Sequence, residues 1–202
     1  EGGEGGTDND TLNLSSSTNA VEVTFLGNEA GTATHGVATV EEVTFAEIEQ
    51  FILTSQDDTF DASVTTDGTY VQSGDGADTL IGGSGNDSLF GEAGNDSITA
   101  GAGNDSFDAG AGNDYVFAGE GNDTVYGSLG DDTISGWTGD NLLDGGEGND
   151  TISAEGGNDT LHGNVGNDLI FGGAGNDLIY GGDGNDIINA GDGVDTVYGG
   201  AD

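Results

Sequence analysis

Aspartate recurs along this chain every nine residues, and this spacing is the feature that indicates chemistry. Fourteen consecutive nine-residue units occupy residues 73–198, and the sixth position is aspartate in thirteen of them. Carboxylates are hard oxygen ligands, which suit Ca²⁺ with its coordination shell of about six to eight oxygens. The recurrence predicts a row of calcium sites with the carboxylate ligands Asp78, Asp87, Asp96, Asp105, Asp114, Asp123, Asp132, Asp150, Asp159, Asp168, Asp177, Asp186 and Asp195.

Other metal ions and catalytic chemistry fit these units less well. Mg²⁺ demands a small octahedron and keeps its waters, and Zn²⁺ prefers His or Cys, of which the units contain only His162. The chain has no H-E-x-x-H, G-x-S-x-G or phosphate-loop motif, and His35 has no Ser or Cys motif near it and is predicted to be a surface residue. Pairs of aspartates imitate a glycosidase dyad, but their recurrence favours metal binding. We therefore predict that this chain has no enzymatic activity.

Composition restricts the partners of the chain. It contains 39 acidic residues and no Lys or Arg, which gives a formal net charge of -39. This charge excludes nucleic acid, whose binding needs cationic side chains on phosphates, and disfavours anionic membrane surfaces. No apolar run approaches the ~20 residues that a membrane-spanning helix needs, and the chain has no Cys for disulfides. Disorder is the alternative that such a composition allows, but the regular period argues against it.

A short strand and a glycine-rich turn in each unit explain how the aspartates meet. Position eight is hydrophobic in all fourteen units, so alternation over a three-residue strand at positions seven to nine buries it. Gly at positions two and four, and Asn at position five, suit a chain reversal with positive φ. Two units make one coil of 18 residues, so units two apart stack and place, for example, Asp87 beside Asp105.

Two of the units show a resemblance to a known family. Residues 82–90 (Gly-Gly-Ser-Gly-Asn-Asp-Ser-Leu-Phe) and 172–180 (Gly-Gly-Ala-Gly-Asn-Asp-Leu-Ile-Tyr) resemble the glycine-rich nonapeptides of RTX (repeats-in-toxin) proteins. The resemblance covers about two-thirds of the chain. It implies an all-β fold, a parallel β-roll (a β-solenoid with two nonapeptides per coil), with calcium between the turns on both edges. It also implies export by one-step (type I) secretion, folding on external calcium, and a secreted, extracellular or cell-surface location.

The eighth unit, residues 136–144, departs from the pattern. It has Trp137 at position two and Asn141 at position six. Fourteen units form at most about 12 interfaces between stacked units, and this departure puts two of those calcium sites in doubt. Glu92 and Glu155 also replace Gly at position two, which matters less if the ligand is a backbone carbonyl. Trp137 marks either a binding spot or, as we favour, a surface packing residue beside a defective site.

The chain divides into three predicted segments. Residues 1–13 form a degenerate repeat with Asp10 and Leu12 in register, residues 14–72 are β-rich, and residues 73–202 form the regular roll with a truncated fifteenth unit. Within the second segment we predict strands at 21–26, 37–45, 48–54 and 69–72, and repeat-like positions at 57–61 and 64–72. This segment is predicted to be an irregular solenoid cap. A separate β-sandwich of ~58 residues is the alternative, and it would be small for independent stability.

The outward positions carry apolar side chains, which indicate either an interaction surface or cross-strand stacking, the second being favoured. They are Phe90, Tyr126, Tyr180 and Tyr198 in one row, Ile81, Phe117 and Phe171 in another, and Leu169, Leu178 and Ile187 near the C-terminal end.

The predicted function is that of a calcium-dependent structural module, part of a longer secreted protein. It would serve as a rigid spacer, an adhesin segment, or a filament or matrix component, with end-to-end self-association of copies as a further hypothesis. The alternative is the C-terminal accessory roll of a secreted protease, lipase, epimerase or cytolysin whose catalytic part lies outside this chain.

Overall fold

The computed structural model describes residues 11–27, 30–35, 42–46, 48 and 50–201, with the side chains of residues 11–24, 48 and 50–201. Within these residues the secondary structure consists of 21 β-strands and no helix. The strands are β1 (Thr11–Asn13), β2 (Val21–Gly27), β3 (Ala30–His35), β4 (Glu42–Ala46), β5 (Gln50–Ile52), β6 (Thr59–Asp61), β7 (Tyr70–Gln72), β8 (Thr79–Ile81), β9 (Ser88–Phe90), β10 (Ser97–Ala102), β11 (Ser106–Ala111), β12 (Tyr115–Glu120), β13 (Thr124–Leu129), β14 (Thr133–Thr138), β15 (Leu142–Glu147), β16 (Thr151–Ser153), β17 (Thr160–Val165), β18 (Leu169–Ala174), β19 (Leu178–Asp183), β20 (Ile187–Asp192) and β21 (Thr196–Ala201).

Two sheets share these strands, and the chain alternates between them from β5 onward. In the described residues the first sheet has the order β1-β5-β7-β9-β11-β13-β15-β17-β19-β21, and the second β20-β18-β16-β14-β12-β10-β8-β6-β2-β3-β4. Neighbouring strands of the repeats run parallel in an 18-residue register, which pairs Ile98 with Val116 and Phe107 with Val125. The predicted all-β parallel solenoid with two units per coil is confirmed.

The core lies between the two sheets. Position eight is buried in the twelve units from Leu80 to Ile179, while Ile188 is partly buried and Val197 is 45% exposed on the last strand. Alternation turns positions seven and nine outward, as β17 shows with its buried Leu161 between two half-buried neighbours. Small residues at position one, such as Ala100 and Ala109, are buried as well; the sequence analysis did not predict this inward position.

Most strands of the roll are longer than the predicted three residues. Strands β10 to β15 and β17 to β21 each have six residues, which run from position seven to position three of the next unit. The reason is that the backbone beyond position nine also pairs with the coil 18 residues away, as Gly101 with Gly119 and Ala102 with Glu120. The three-residue prediction is wrong for these strands because it assigned positions one to three entirely to the turn.

Positive φ angles occur at positions two and four but not at position five. From residue 92 onward every position-two residue has positive φ, including the non-glycine residues Glu92 (67°) and Trp137 (71°). Position four is equally regular, as Gly112 (147°) illustrates. No described Asn at position five has positive φ, so that part of the prediction is wrong. Its side chain instead accepts a backbone N–H from the next coil, as Asn104 does from Asn122.

The N-terminal segment continues both sheets and adds an antiparallel edge. Leu12 pairs with Phe51 in the first sheet, as its predicted repeat register requires, while Asp10 lies outside the described residues. Strand β2 pairs parallel with β6 and antiparallel with β3, and β3 pairs antiparallel with β4. The segment division remains a prediction.

Predicted strands in this segment differ from the observed ones at their ends. Strand β2 ends one residue later than predicted, β5 and β7 are shorter than the predicted 48–54 and 69–72, and β3 was not predicted. Of the predicted strand 37–45, residues 42–45 belong to β4 and residues 37–41 lie outside the described residues. His35 is the last residue of β3. Its side chain is not among the described side chains, so its surface position stays a prediction.

Candidate calcium sites

The position-six aspartates form a ladder along each edge of the roll. The backbone N–H of Asp96 donates to Oδ1 of Asp114 over 2.7 Å, and the N–H of Asp114 donates to Oδ1 of Asp132 over 2.8 Å. The predicted neighbours Asp87 and Asp105 are joined in the same way over 2.8 Å. Fourteen such bonds link successive coils in the described residues. The fold therefore brings the carboxylates of stacked turns into two rows.

The second oxygen of these carboxylates is buried and without a hydrogen-bond partner. Because Oδ1 faces the backbone of the preceding coil, Oδ2 is left to point into the turn. Among the described residues this holds for Oδ2 of Asp78, Asp96, Asp105, Asp114, Asp123, Asp132, Asp150, Asp159, Asp168, Asp177 and Asp186. A buried charged oxygen without a partner is costly, so these regularly placed oxygens are suited to a cation.

Where position one is glycine, the absent Cβ leaves a space beside the Oδ2 of the same unit. A Cβ placed on Gly127 would overlap both Oδ2 of Asp132 and the carbonyl oxygen of Gly145 in the next coil. The same is true of Gly163 with Asp168 and the carbonyl of Gly181. A carboxylate oxygen and a carbonyl oxygen from successive coils thus converge on one space, and both are hard donors that fit Ca²⁺. The sequence analysis did not single out the position-one carbonyls.

Side chains alone do not complete a metal site. In the described part of the chain no three His, Cys, Asp or Glu side chains cluster closely enough to hold an ion. Each turn instead combines a few carboxylates with backbone carbonyl oxygens, a donor set that is typical of calcium rather than of zinc.

Burial raises the pKa of most position-six carboxyl groups between Asp78 and Asp177. Loss of solvation is the largest cause, neighbouring aspartates of the same row add to it, and the backbone N–H bonds oppose it. The pKa rises to about 7 for Asp96, Asp105 and Asp132, and to about 6 for Asp78, Asp150 and Asp159. A row of carboxylates in this environment resists full ionisation unless a cation neutralises it.

Position five forms a second ladder that runs in the opposite direction. The Oδ1 of Asn104 accepts the backbone N–H of Asn122 over 2.8 Å, and the Oδ1 of Asn149 accepts that of Asn167 over 3.0 Å. The Nδ2 of Asn167 also donates to Oδ1 of Asn149 over 3.0 Å. At Asp131 the N–H and side-chain amide of Asn149 hold the pKa of the carboxyl below its ordinary value. Where position five is Asn, the neutral side-chain amide links the exposed sides of successive turns by hydrogen bonds.

The eighth unit keeps the ladder but changes its chemistry. Oδ1 of Asn141 accepts the N–H of Asp123 over 2.9 Å, and the N–H of Asn141 donates to Oδ1 of Asp159 over 2.7 Å. Its Nδ2 donates to the carbonyl of Gly139 over 3.2 Å. An amide nitrogen cannot be a calcium ligand, so the predicted loss at this position remains consistent with the structure. Trp137 is 39% exposed and its ring lies 5.8 Å from that of Phe117, so it packs on the surface of the roll, and its role beside a defective site stays a prediction.

Non-glycine residues at position two contact the position-nine side chain of the preceding coil. Ser128 Oγ donates to Asp108 Oδ1 over 2.8 Å, and Asn164 Nδ2 donates to Asp144 Oδ1 over 2.6 Å. Trp137 at position two likewise packs against Phe117, the position-nine residue of the preceding coil. Each of these three position-two residues has positive φ, a conformation that costs a non-glycine residue about 1–2 kcal/mol. The lateral contact offsets that cost.

The outward aromatic rows pack along the roll. The ring centroids of His162 and Tyr180 are 4.8 Å apart, and those of Tyr180 and Tyr198 are 5.0 Å apart, in nearly parallel stacks. Ring faces in such a stack cover one another, so stacking is observed for Tyr180 and Tyr198 of this row, and for the other outward positions the choice stays a prediction. Tyr126, at 42% exposed, and Ile187, at 67%, are among the most accessible of the outward apolar side chains.

These features define a class of protein: a parallel β-roll whose turns offer rows of oxygen ligands. The family model described as the RTX calcium-binding nonapeptide repeat, in four copies, matches overlapping segments of the chain. The matched segments are residues 72–107, 91–125, 108–143, 119–152, 135–170, 144–179 and 171–202. Because they cover well over half of the sequence, the chain belongs to the RTX calcium-binding repeat family. No curated protein sequence matches it significantly. No helix in the described ranges has the length and hydropathy to traverse a bilayer.

Proposed function

We propose that the turns of this roll bind Ca²⁺ through their position-six aspartates, and that binding folds the roll outside the cell. The observation that carries the proposal is the set of eleven buried Oδ2 atoms without a partner. Asp195 continues the row, since its Oδ1 accepts the N–H of Asp177 over 3.0 Å. With the interfaces of the eighth unit in doubt, the roll holds at most about 12 ions.

The free-energy cost of burying these oxygens supports the proposal that the folded roll needs bound ions. An unpaired buried polar group costs about 1–3 kcal/mol, and a charged one costs more. Eleven such oxygens therefore cost as much as, or more than, the total stability of about 5–15 kcal/mol that a domain possesses. A cation in each turn converts these oxygens into ligands, and its binding free energy becomes folding free energy.

Counting the bound ions tests this proposal. The chelator-treated chain is dialysed against ~1 mM calcium, in the range of extracellular modules, and its bound calcium is counted by native mass spectrometry and calorimetry. We expect several ions per chain, and a parallel sample in magnesium should bind few because Mg²⁺ keeps its waters. A chain that binds no calcium, or magnesium equally well, contradicts the proposal.

The parent protein is proposed to be a secreted one in which the roll is a rigid spacer, adhesin segment, or filament or matrix component. Two sheets that continue through all the described coils support a stiff rod. Small-angle scattering with calcium should give the profile of a rod with a constant cross-section, and chelator should give that of an expanded chain. A flexible, calcium-insensitive profile contradicts the spacer role.

The alternative role is that of a non-catalytic accessory roll in a secreted enzyme or toxin. The roll itself is a structural repeat with no catalytic motif, so the difference lies in the parent protein. The gene sequence beside this chain distinguishes the roles, because a zincin or hydrolase motif favours the enzyme and further repeats or adhesion modules favour the scaffold.

End-to-end self-association is a further part of the proposal. Sedimentation in calcium should show a concentration-dependent assembly, whereas a monomer at all concentrations contradicts this part alone.

A further inference from the structure

The position-six residues at the N-terminal end differ from the others in their hydrogen bonds. Oδ1 of Asp58 accepts the backbone N–H of Val21 over 2.6 Å, and its Oδ2 accepts the backbone N–H of Thr54 over 2.7 Å. The Thr54 hydroxyl lies within 2.9 Å of both oxygens. Asp58 is 1% exposed, so protein donors replace water at both oxygens of this carboxylate.

Asp87 is satisfied in the same manner on the other edge. Its Oδ1 accepts both the backbone N–H of Thr69 over 2.7 Å and the Thr69 hydroxyl over 2.9 Å. Its Oδ2 accepts the backbone N–H of Gly83 over 2.9 Å. From Asp96 to Asp186, by contrast, every position-six aspartate of the described residues keeps an Oδ2 without a partner.

A change in turn geometry accompanies this difference. Gly83 and Gly85 are at positions two and four, yet neither has the positive φ that these positions show from residue 92 onward. This geometry directs the Gly83 N–H to Asp87. The buried Thr65 lies in the stacked turn of the preceding coil, where its hydroxyl donates to the carbonyl of Ala62 over 2.9 Å. Hydroxyl and N–H donors thus reach both oxygens of Asp58 and Asp87, whereas the Oδ2 atoms of the later coils have no donor.

The hydrophobic core is also broader at this end. The rings of Phe51 and Phe60, which belong to different sheets, pack in a tilted contact with centroids 5.0 Å apart. Val23, Leu53 and Ala62 are buried beside them. Later coils bury one hydrophobic residue at position eight and a small residue or glycine at position one in each unit. The N-terminal coils therefore combine more apolar burial with fewer uncompensated charges.

We infer that the N-terminal coils, formed by residues 11–27 and 50–90, fold without calcium and nucleate the roll, which then extends toward the C-terminal end as calcium fills the later turns. This inference rests on the proposed calcium function and assigns the start of ion dependence. Asp58 and Asp87 are structural carboxylates that bind no ion. Asp78, with an unpartnered Oδ2, lies within these coils, and the boundary lies after residue 90, where the unbroken series of unpartnered Oδ2 atoms begins at Asp96. Calcium concentration then sets the length of folded roll beyond a permanent nucleus.

Hydrogen exchange of the full chain in excess chelator tests the inference directly. We expect protected amides at Thr54, Thr69 and Gly83, and rapid exchange at Asp105, Asp123 and later ladder positions. Calcium should then protect the later positions. If no amide is protected in chelator but all become protected in calcium, the nucleus is wrong and the calcium function stands. If the whole roll is protected in chelator, the calcium function itself is wrong.

Two pairs of variants sharpen the test. Thr69→Val removes the hydroxyl that contacts Asp87 and should abolish the protection of residues 50–90 in chelator, whereas Thr79→Val, at an outward position of β8, should leave it intact. Asp105→Asn should lower the calcium count of the folded chain, whereas Asp87→Asn should leave it unchanged. Equal protection in the two Thr variants, or a calcium count lowered equally by both Asp variants, would overturn the inference.

Discussion

At the scale of the residue, the two oxygens of a position-six carboxylate have separate roles. Oδ1 accepts a backbone N–H and links coils, as Asp132 does for Asp114 over 2.8 Å, and Oδ2 is left buried and unpartnered. Asparagine at this position retains the first role and loses the second, which is why Asn141 leaves the ladder intact. A position-six side chain that is to bind an ion therefore needs both a carboxylate and an Oδ2 that no protein donor satisfies, as Asp87 illustrates by contrast.

This separation predicts opposite effects for two substitutions. Asp132→Asn should keep the roll in saturating calcium but remove about one bound ion and raise the calcium midpoint of folding, because an amide nitrogen cannot bind a cation. Asn141→Asp should add about one ion. Calorimetry of each variant measures the count. Asp131→Asn, at the exposed position five where most units have Asn, is the matched control and should bind as the parent chain does. An unchanged count in Asp132→Asn would contradict the assignment.

The raised pKa values predict how pH acts on the calcium-free chain. Burial raises the pKa of Asp96, Asp105 and Asp132 to about 7, above the value of about 3.9 in an unfolded chain. The folded roll therefore binds these protons more tightly than the unfolded chain. The resulting stabilisation is complete below about pH 4 and is lost as the pH rises through about 7. In chelator, circular dichroism should show more β-structure at pH 4 than at pH 8.

The same protons compete with calcium in the folded roll. The calcium midpoint should therefore move to higher concentration between pH 8 and pH 5. A midpoint that does not change with pH, or β-structure that is lost on acidification in chelator, would contradict the assignment of these buried carboxyl groups as the ligands.

Sequence reasoning predicted the acidic ligands because a nine-residue period is visible without a structure. It did not predict which oxygens would be satisfied, since the donors to Asp87 come from Thr69 and from Gly83, whose φ departs from the repeat pattern. The role of Asn at position five was also missed, because Asn is common both at positive φ and in amide ladders.

At the scale of the element, the turn is controlled by its position-four glycine. In Gly112 φ is 147°, and a Cβ there would overlap the carbonyl oxygen of Gly94 in the preceding coil. Both the backbone angle and the close stacking of the coils therefore demand glycine. This accounts for glycine at position four in all fourteen units, whereas position two also accepts Glu, Ser, Trp and Asn.

The two constraints predict a large difference between two Gly→Ala substitutions. Gly112→Ala should destabilise the calcium-bound roll by more than about 1 kcal/mol, because Ala at positive φ is strained and its Cβ meets backbone. Gly156→Ala should change stability by no more than about 1 kcal/mol, since its nearest neighbour would be the carbonyl oxygen of Ala174 at 4.0 Å. Thermal unfolding in saturating calcium measures both. Equal melting temperatures would show that the stacked turns are looser than described.

Strand positions were predicted well where alternating hydrophobic residues determine them. They were predicted poorly where only backbone pairing between neighbouring strands determines them. The inward position eight and the 18-residue register followed from the period. The extension of β10 through Gly101 and Ala102 did not, because these residues have no β-propensity and pair only through their backbone with the next coil. Strand β3, with Gly31 and Ala33 among its residues, was missed for the same reason.

At the scale of the whole molecule, the net negative charge opposes the compact shape of the roll. A net charge of -39 with no cationic side chain makes a compact rod repel itself, and the fold concentrates part of this charge in two buried rows. The upper limit of about 12 divalent ions would supply about +24 and leave a charge of about -15, and fewer ions would still reduce the repulsion within the two buried rows. The rod is therefore expected to be a state that calcium creates, extending from an N-terminal nucleus.

The most direct test of this account is a calcium titration of the chelator-treated chain near pH 7.5, followed by far-ultraviolet circular dichroism and by Trp137 fluorescence. Trp137 packs against Phe117 in the middle of the roll, far along the chain from the ion-independent coils, so its emission reports the calcium-dependent part. We predict a cooperative gain of β-signal and a parallel change in Trp137 emission at roughly 10⁻⁴–10⁻³ M calcium. A full β-signal in chelator, unaltered by calcium, would contradict calcium as the origin of the fold.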